Sequence, residues 1–534
     1  MIVDEGADAD AEGRVDGATE PATQRSVERD VERDVERDVE RPAERAAEAI
    51  ARARAAQPAW HALGVERRAA IVEGVRRELF RRRDEIAACI SRENGKPLTE
   101  ALMAEVAPSL DIARFYARLA PAHLATRRLT SATLALWRKQ IRLSHEPYGV
   151  VAVISPWNYP FMLPAGIVLP ALVAGNVVIL KPSELTPSCG DLLAAVCHAA
   201  GVPPEVLQVQ QGDGAVGAAL VEGGVDKVFF TGSVATGRRV AHACAERFIP
   251  CALELGGSDP AIVCADADVE HAASGITWGR FANAGQTCVA PKRVFVAASV
   301  HDRLVAALQA RLTALQLKHP AREAYDVGAV IQPSQESVLA AQRDDATGQG
   351  ARCWRAEGEW GVGVFPPTLL LDVPPAARAL QEETFGPLLP IVAVRDDEEA
   401  IALANASPFG LSASVWSRDR SRAHRIAARL HAGTVVINDV TLVAGIAEVP
   451  HGGVKASGAG RAHGVAGLDE CVRTRTVVDD RFTGWRQPWW FGYGDDTPRQ
   501  GDAYLRLAHG RSVRERLSGI PGVLKLLFRP ERPV

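Results

Sequence analysis

No CxxC pair occurs anywhere in this chain of 534 residues, and its nine cysteines are an odd number. Both facts argue against a disulfide framework and against a zinc knuckle. A dominant charge is missing too: 61 Lys and Arg stand against 65 Asp and Glu, a formal net charge of -4. Nothing global therefore points to nucleic acid as a partner. No apolar run reaches the length of a bilayer span. The acidic beginning lacks the apolar stretch of a secretory signal, so the expected address is the cytoplasm. No metal site is expected.

What remains is an ordinary globular composition, 47% hydrophobic and 24% charged, in a chain long enough for two or three domains. Residues 1–42 stand apart. Val27 to Arg41 reads VERDVERDVERDVER, whose four-residue period drifts around a helix of 3.6 residues per turn. A solvated, partly helical, mobile extension is expected there. From Ala43 to about Leu119 apolar residues recur at helical spacing, until Asn94-Gly95 with Pro97 breaks the run. The character then changes. Apolar runs at 148–154, 176–180, 206–209 and 227–230 alternate with helical stretches. That alternation predicts a parallel sheet covered on both faces. A second α/β segment is expected over 256–440, with strands in PAIVC, KRVFVA, LPIVAV and TVVIN. Residues 441–480 are glycine-rich and irregular, and 481–534 form a last piece.

Ligands of such sheets gather at the carboxyl ends of strands, so the polar residues after each run are the ones to weigh. Asn158, in SPWNYP, offers an amide donor, as an oxyanion contact or as a turn residue. Lys181 and Glu184, in KPSE, suit ribose hydroxyls or form a solvated pair. The loop Thr231 to Gly237 opens a helix, where free N–H groups face phosphate or simply take a cap; it is not a GxGxxG fingerprint. Glu254, before Gly256-Gly257, is a desolvated base or a helix-end carboxylate. Cys288 sits in a loop of small residues, GQTCVAP; activation of its thiol would need nearby positive charge or donors. Glu382-Glu383 lie in a turn, EETFGP, before a strand.

Singly, each motif has an ordinary structural reading. Together, in this order, they resemble the aldehyde dehydrogenase superfamily from about Ala43 to about Asp480. SPWNYP, KPSE, FTGS, ELGG, GQTC, EETFGP and HGGVKASGAGR carry the resemblance, with Glu254 and Cys288 34 positions apart (288 minus 254). The resemblance implies an α/β fold with two parallel-sheet domains, for cofactor and for catalysis, and a β-extension used in oligomerisation. It implies a cofactor domain over 43–255, interrupted by extension residues at about 127–146. A catalytic domain over 256–440 and an oligomerisation segment over 441–480 follow. Cys288 would attack the aldehyde and Glu254 would activate water. Asn158 and the Cys288 N–H would hold the oxyanion. Ser155, Trp157, Lys181, Glu184, Gly214, Phe230, Gly232, Ser233, Gly237, Leu255, Glu383 and Phe385 would bind NAD, with NADP also admitted. Glu184 leans toward NAD, because a carboxylate repels a 2′-phosphate. His451 stands where phenylalanine is usual and is read as structural. A homodimer or homotetramer is expected. The alternatives are a CoA-acylating relative and a catalytically silent scaffold.

The final piece carries Trp485, Trp489, Trp490, Phe491 and Tyr493, followed by a basic amphipathic stretch. This suits either peripheral membrane contact or packing on the protein itself. Membrane contact would favour a long-chain aldehyde; an aromatic aldehyde is also admitted.

Overall fold

The computed structural model describes residues 22–131, 133, 136, 138–319, 324–440, 442–481, 487, 489–491 and 493–527, with 22–41 and 442 described by backbone alone. Its strands are, in chain order, β1 (Arg127–Leu129), β2 (Lys139–Pro147), β3 (Val150–Ile154), β4 (Val177–Lys181), β5 (Leu207–Val209) and β6 (Lys227–Thr231). Then come β7 (Cys251–Glu254), β8 (Asp259–Val263), β9 (Pro291–Ala297), β10 (Arg352–Arg355) and β11 (Thr368–Leu371). The last are β12 (Leu388–Val394), β13 (Ser412–Trp416), β14 (Thr434–Ile437), β15 (Gly458–Ala459) and β16 (Val472–Asp480).

One sheet has the order β15-β7-β6-β3-β4-β5. Its five strands from β7 to β5 run parallel, and only β15 is antiparallel. The runs VVAVI and VVILK are β-branched and buried at every position, because helices cover both faces. Each such buried Val, Ile or Leu side chain contributes about 1.5–3 kcal/mol. The chain order reverses between β3 and β6. That reversal opens a crevice beyond their carboxyl ends, at Ser155 and Gly232.

The second sheet has the order β10-β11-β12-β9-β8-β13-β14, parallel except for the edge strand β10. The amino ends of β8, β9 and β12 lie toward the crevice of the first sheet, since Gly257, Cys288, Lys292 and Glu383 meet there. This changes the strand-end rule. In the first sheet the polar residues follow strands, whereas Cys288 and Glu383 precede them.

β1, β2 and β16 form a separate antiparallel sheet, with nine residues of β16 paired to β2 from Val472↔Pro147 to Asp480↔Lys139. It joins the two distant segments expected for the extension. Just before β16, residues 442–471 form short 3-10 turns, the two-residue β15 and the helix Gly464–Asp469.

At the start of the described chain, one helix spans Ala22–Ala62, running through the VERD repeat and containing Pro42 and Pro58. Secondary structure therefore does not break at residue 42. Further helices cover Val65–Arg81, Arg83–Asn94 and Ala107–His123, and Gly95 closes the middle one in the left-handed conformation that glycine admits. At the other end, the helices Thr497–His509, Val513–Ser518 and Ile520–Leu527 pack on one another. Trp489, Trp490, Phe491 and Tyr493 are exposed, and Trp485 lies outside the described residues. Among the described residues no helix is long and apolar enough to cross a membrane.

Candidate active site

A cavity of about 370 Å³ opens where the two sheets meet. Asn158, Glu254 and Cys288 all line it, as do Trp157, Gly232, Ser233, Leu255, Glu383 and Phe385. The apolar helix Met162–Ala174 supplies Leu163 and Ile167 to its wall. Residues 130 positions apart in sequence converge here because β3, β6, β7 and the loop before β9 all end at one crevice.

The loop bearing Asn158 is clamped by polar groups that have no exposure to solvent. Lys96 and Glu105 form an ion pair at 2.6 Å with both side chains fully buried. Lys96 Nζ also donates to the Asn158 carbonyl at 2.9 Å. Glu105 Oε2 accepts from the Phe161 and Met162 N–H groups at 2.9 and 3.2 Å. Asn94 donates to the Trp157 carbonyl and Asn283 to the Asn158 carbonyl. With its backbone so held, the Asn158 side chain donates to the Gln286 carbonyl at 3.1 Å. Its second amide proton has no acceptor among the described residues.

Cys288 follows a strained loop. Asn283, Ala284 and Gly285 all have positive φ, of 51°, 52° and 72°. Two consecutive non-glycine residues in that region cost energy that the surroundings must offset. Arg280, fully buried, does part of this. It donates to the carbonyls of Thr384, Gly386 and Leu388, which ties the EETFGP turn under the cysteine loop. Lys292 Nζ donates to the Cys288 carbonyl at 2.5 Å and to Glu383 Oε1 at 3.1 Å, and Gly257 N–H donates to the same carboxylate oxygen at 3.0 Å. Desolvation pushes the Cys288 thiol up to about 12, with Lys292 opposing the shift. Among the nine cysteines, only Cys288 lines this cavity.

Glu254 ends β7. It is enclosed by protein, and neither carboxylate oxygen accepts a hydrogen bond of ordinary length among the described residues. Desolvation pushes its pKa up to about 8, against the field of Arg461.

The remaining expected cofactor residues lie outside the cavity, along the first sheet's crevice. Lys181 ends β4 and meets Glu184 at 3.3 Å. Gly214 opens the helix Gly214–Glu222, capped by Asp213; a Cβ on its Gly217 would sit 3.9 Å from Lys181 Cδ. Ser155 follows β3 and Phe230 lies in β6. A Cβ on Gly232 would come within 2.6 Å of the Phe230 ring, and one on Gly256 would collide with the Glu383 carboxylate. Gly237 likewise abuts Leu255, and Ser233 caps the helix Val234–Glu246. A glycine-lined cradle, a helix amino end and a Lys-Glu pair in one crevice fit a dinucleotide.

Sequence reasoning missed Lys96, Glu105, Asn283, Arg280 and Lys292, whose contacts are long-range. The sequence reading of His451 is a structural one. His451 and His463 both line the cavity. The one available signal was a pair of histidines twelve residues apart in a glycine-rich loop (463 minus 451).

A sequence model of the Aldehyde dehydrogenase family matches residues 21–477. The chain is 38% identical over 459 residues to a 4,4'-diapolycopene aldehyde oxidase of a Methylomonas species, covering 86% of each chain. It is 38% identical over 425 residues to a betaine aldehyde dehydrogenase of Cereibacter sphaeroides, covering 79% of this chain and 86% of that one. The fold matches the crystal structure of lactaldehyde dehydrogenase from Escherichia coli with a TM-score of 0.77, at 34% identity and over 82% of this chain and 91% of that one. Sequence, fold and the assembled cavity agree: the chain belongs to the aldehyde dehydrogenase family, whose members oxidise aldehydes with NAD or NADP.

Proposed function

We propose that this enzyme converts its aldehyde to a carboxylic acid through a thioester on Cys288, which Glu254 then helps water to cleave. The observation that carries this reading is the single cavity shared by Asn158, Cys288 and Glu254.

The Cys288 sulfur adds to the carbonyl carbon and its proton passes to solvent or to a carboxylate of the site. The former carbonyl oxygen becomes an oxyanion. The free amide proton of Asn158 and the Cys288 N–H stabilise it, and because the Asn158 backbone is already clamped, little reorganisation is needed. A bound nicotinamide ring supplies a two-electron acceptor for the hydride of that tetrahedral carbon. Trp157, Gly232, Leu255, Glu383 and Phe385 would seat it, Lys181 and Glu184 would hold a ribose, Ser155, Phe230 and Gly237 would shape the crevice, and Ser233 and Gly214 would act from helix amino ends. Carbon–hydrogen bond cleavage leaves the acyl group on sulfur. Glu254 removes a proton from water as the water attacks, and the thiolate departs with the carboxylic acid released. A carboxylate whose pKa is about 8 suits this role near neutral pH.

Glu184, partly exposed beside Lys181, favours NAD over NADP by repelling a 2′-phosphate. The antiparallel sheet β1-β2-β16 leaves Val477 and Val478 exposed, which supports pairing of subunits through that sheet.

The test is to mix the Glu254→Gln variant with NAD and an aldehyde, quench rapidly and map adducts by mass spectrometry. An acyl group on the Cys288 peptide, formed with one equivalent of reduced cofactor, is expected. Acyl groups only on other cysteines, or none while cofactor is reduced, would sink the reading.

A further inference from the structure

We propose that His451 and His463 form a hydrogen-bonding subsite for an uncharged oxygen substituent of the aldehyde, a hydroxyl above all. This rests on the thioester reading and names the substrate class for that site.

The two histidines are brought together by backbone pairing. His451 N–H donates to the Ala462 carbonyl at 2.7 Å and Ala462 N–H returns a bond to the His451 carbonyl at 2.8 Å. The ring centroids end 6.2 Å apart with a tilt of 33°. Both residues are deeply buried, 4% and 2% exposed, and both line the cavity that holds Cys288. Among the described residues none of their four ring nitrogens makes a hydrogen bond, and both Nδ1 atoms are buried without a partner. Buried polar atoms almost always find a partner, so two imidazoles with uncommitted nitrogens in the wall of one cavity leave hydrogen-bonding capacity beside whatever enters it.

Space has been kept for them. Gly166 lies inside the helix Met162–Ala174, where alanine would ordinarily be preferred, yet a Cβ there would sit 2.6 Å from His463 Nε2. His463 itself has φ of 59°, a conformation that histidine tolerates better than bulky apolar residues.

The chemistry selects among substituents. Burial, with Arg461 beside His451, pushes the two pKa values down to about 4 and about 3. Each ring is therefore neutral near pH 7 and offers one donor and one acceptor. A hydroxyl needs one of each. An anionic substituent would want a cation, but among the described residues no Lys or Arg lines the cavity and its charged residues are Glu254 and Glu383. A plain hydrocarbon would leave the nitrogens unpaired.

The experiment compares kcat/KM for aldehydes of equal chain length that carry a hydroxyl, a methyl, a carboxylate or a quaternary ammonium group. Wild type is expected to favour the hydroxylated member over its methyl counterpart by about 10-fold or more, the penalty of leaving a buried partner unpaired. His451→Phe, which keeps a ring but no nitrogen, should shrink that ratio about 10-fold, and His451→Gln should restore part of it. A wild-type preference for the methyl, carboxylate or ammonium member overturns the subsite, as does a ratio that His451→Phe leaves unaltered. Those failures would still show acid formation, and so leave the thioester reading standing. Absence of turnover with every aldehyde would sink both.

Discussion

The two walls of the cavity are built on opposite principles. On the Asn158 wall the Trp157 and Asn158 carbonyls are bonded, and an ion pair with no solvent exposure sits beneath them. On the Glu254 wall, among the described residues, the carboxylate has no hydrogen bond of ordinary length and the Nδ1 atoms of two imidazoles have no partner. The Asn158 backbone is fixed before substrate arrives, as suits a donor that must not move when charge develops. The second wall keeps unmet hydrogen-bonding capacity, as suits water and a substrate that come and go. The difference teaches that burial alone does not mark function: Lys96 and His451 are equally enclosed, but one is satisfied and the other is not.

The largest expected effect lies between the walls. Cys288→Ala should lower formation of reduced cofactor by about three orders of magnitude or more, followed by absorbance of the reduced nicotinamide. Activity within 10-fold of wild type would dissolve the comparison, since neither wall would then serve the thiol. Next comes Glu254→Gln. Steady turnover should fall about 10²–10⁴-fold while the first equivalent of reduced cofactor still appears. Glu254 is raised from its ordinary value to about 8, so its ionised, basic form gains as pH rises through that value. Deacylation by wild type should therefore climb through about pH 8, and the variant should lose that limb in single-turnover measurements. A flat wild-type profile would mean that the unpartnered carboxylate is not the base.

The satisfied wall is tested by stability. Lys96→Met strands Glu105 in the core and should cost about 3–5 kcal/mol in denaturant unfolding. Replacing both partners, Lys96→Met with Glu105→Leu, should recover much of that stability while kcat stays low, because the Asn158 loop has lost its clamp. Recovery of both would show the pair to be structural only. The smallest effect is expected outside the cavity: Glu184→Ser should improve NADP relative to NAD by about 10-fold in kcat/KM, and an unaltered ratio would place cofactor discrimination elsewhere.

The apolar runs that became β3, β4, β5, β6, β8, β9 and β12 were legible, because a strand buried on both faces must be largely apolar, and the half-buried β14 was legible from its run TVVIN. β7 was read only as an apolar stretch. β10 and β13 escaped for physical reasons. RCWR is a largely exposed edge strand, and SASVW is short and half polar. β11 is four residues behind a pair of prolines. Cys288, Glu254 and Asn158 were legible through motifs in order, and the structure brings all three to one cavity. The rule of looking just after strands found Asn158, Lys181, Gly232 and Glu254. It could not reach the logic of Cys288 and Glu383, which enter from the amino ends of the second sheet. Nor could it reach Arg280 or Lys292, since a basic residue in a helix or strand reads as surface until its partners are known.

By itself the sequence determined which segments are buried strands, because hydrophobic periodicity is a local property. It also named the candidates for reactive chemistry, because the capacity to act as nucleophile, base or donor is a property of side chains. Only the tertiary structure decided which polar groups are satisfied. Lys96 meets Glu105 nine positions on, but both go on to bond the backbone of one distant loop, at Asn158 and at Phe161 and Met162; His451 and His463 are brought together by a backbone bridge, and among the described residues their ring nitrogens find no partner. Satisfaction is a matter of distance between segments, and no single segment contains it.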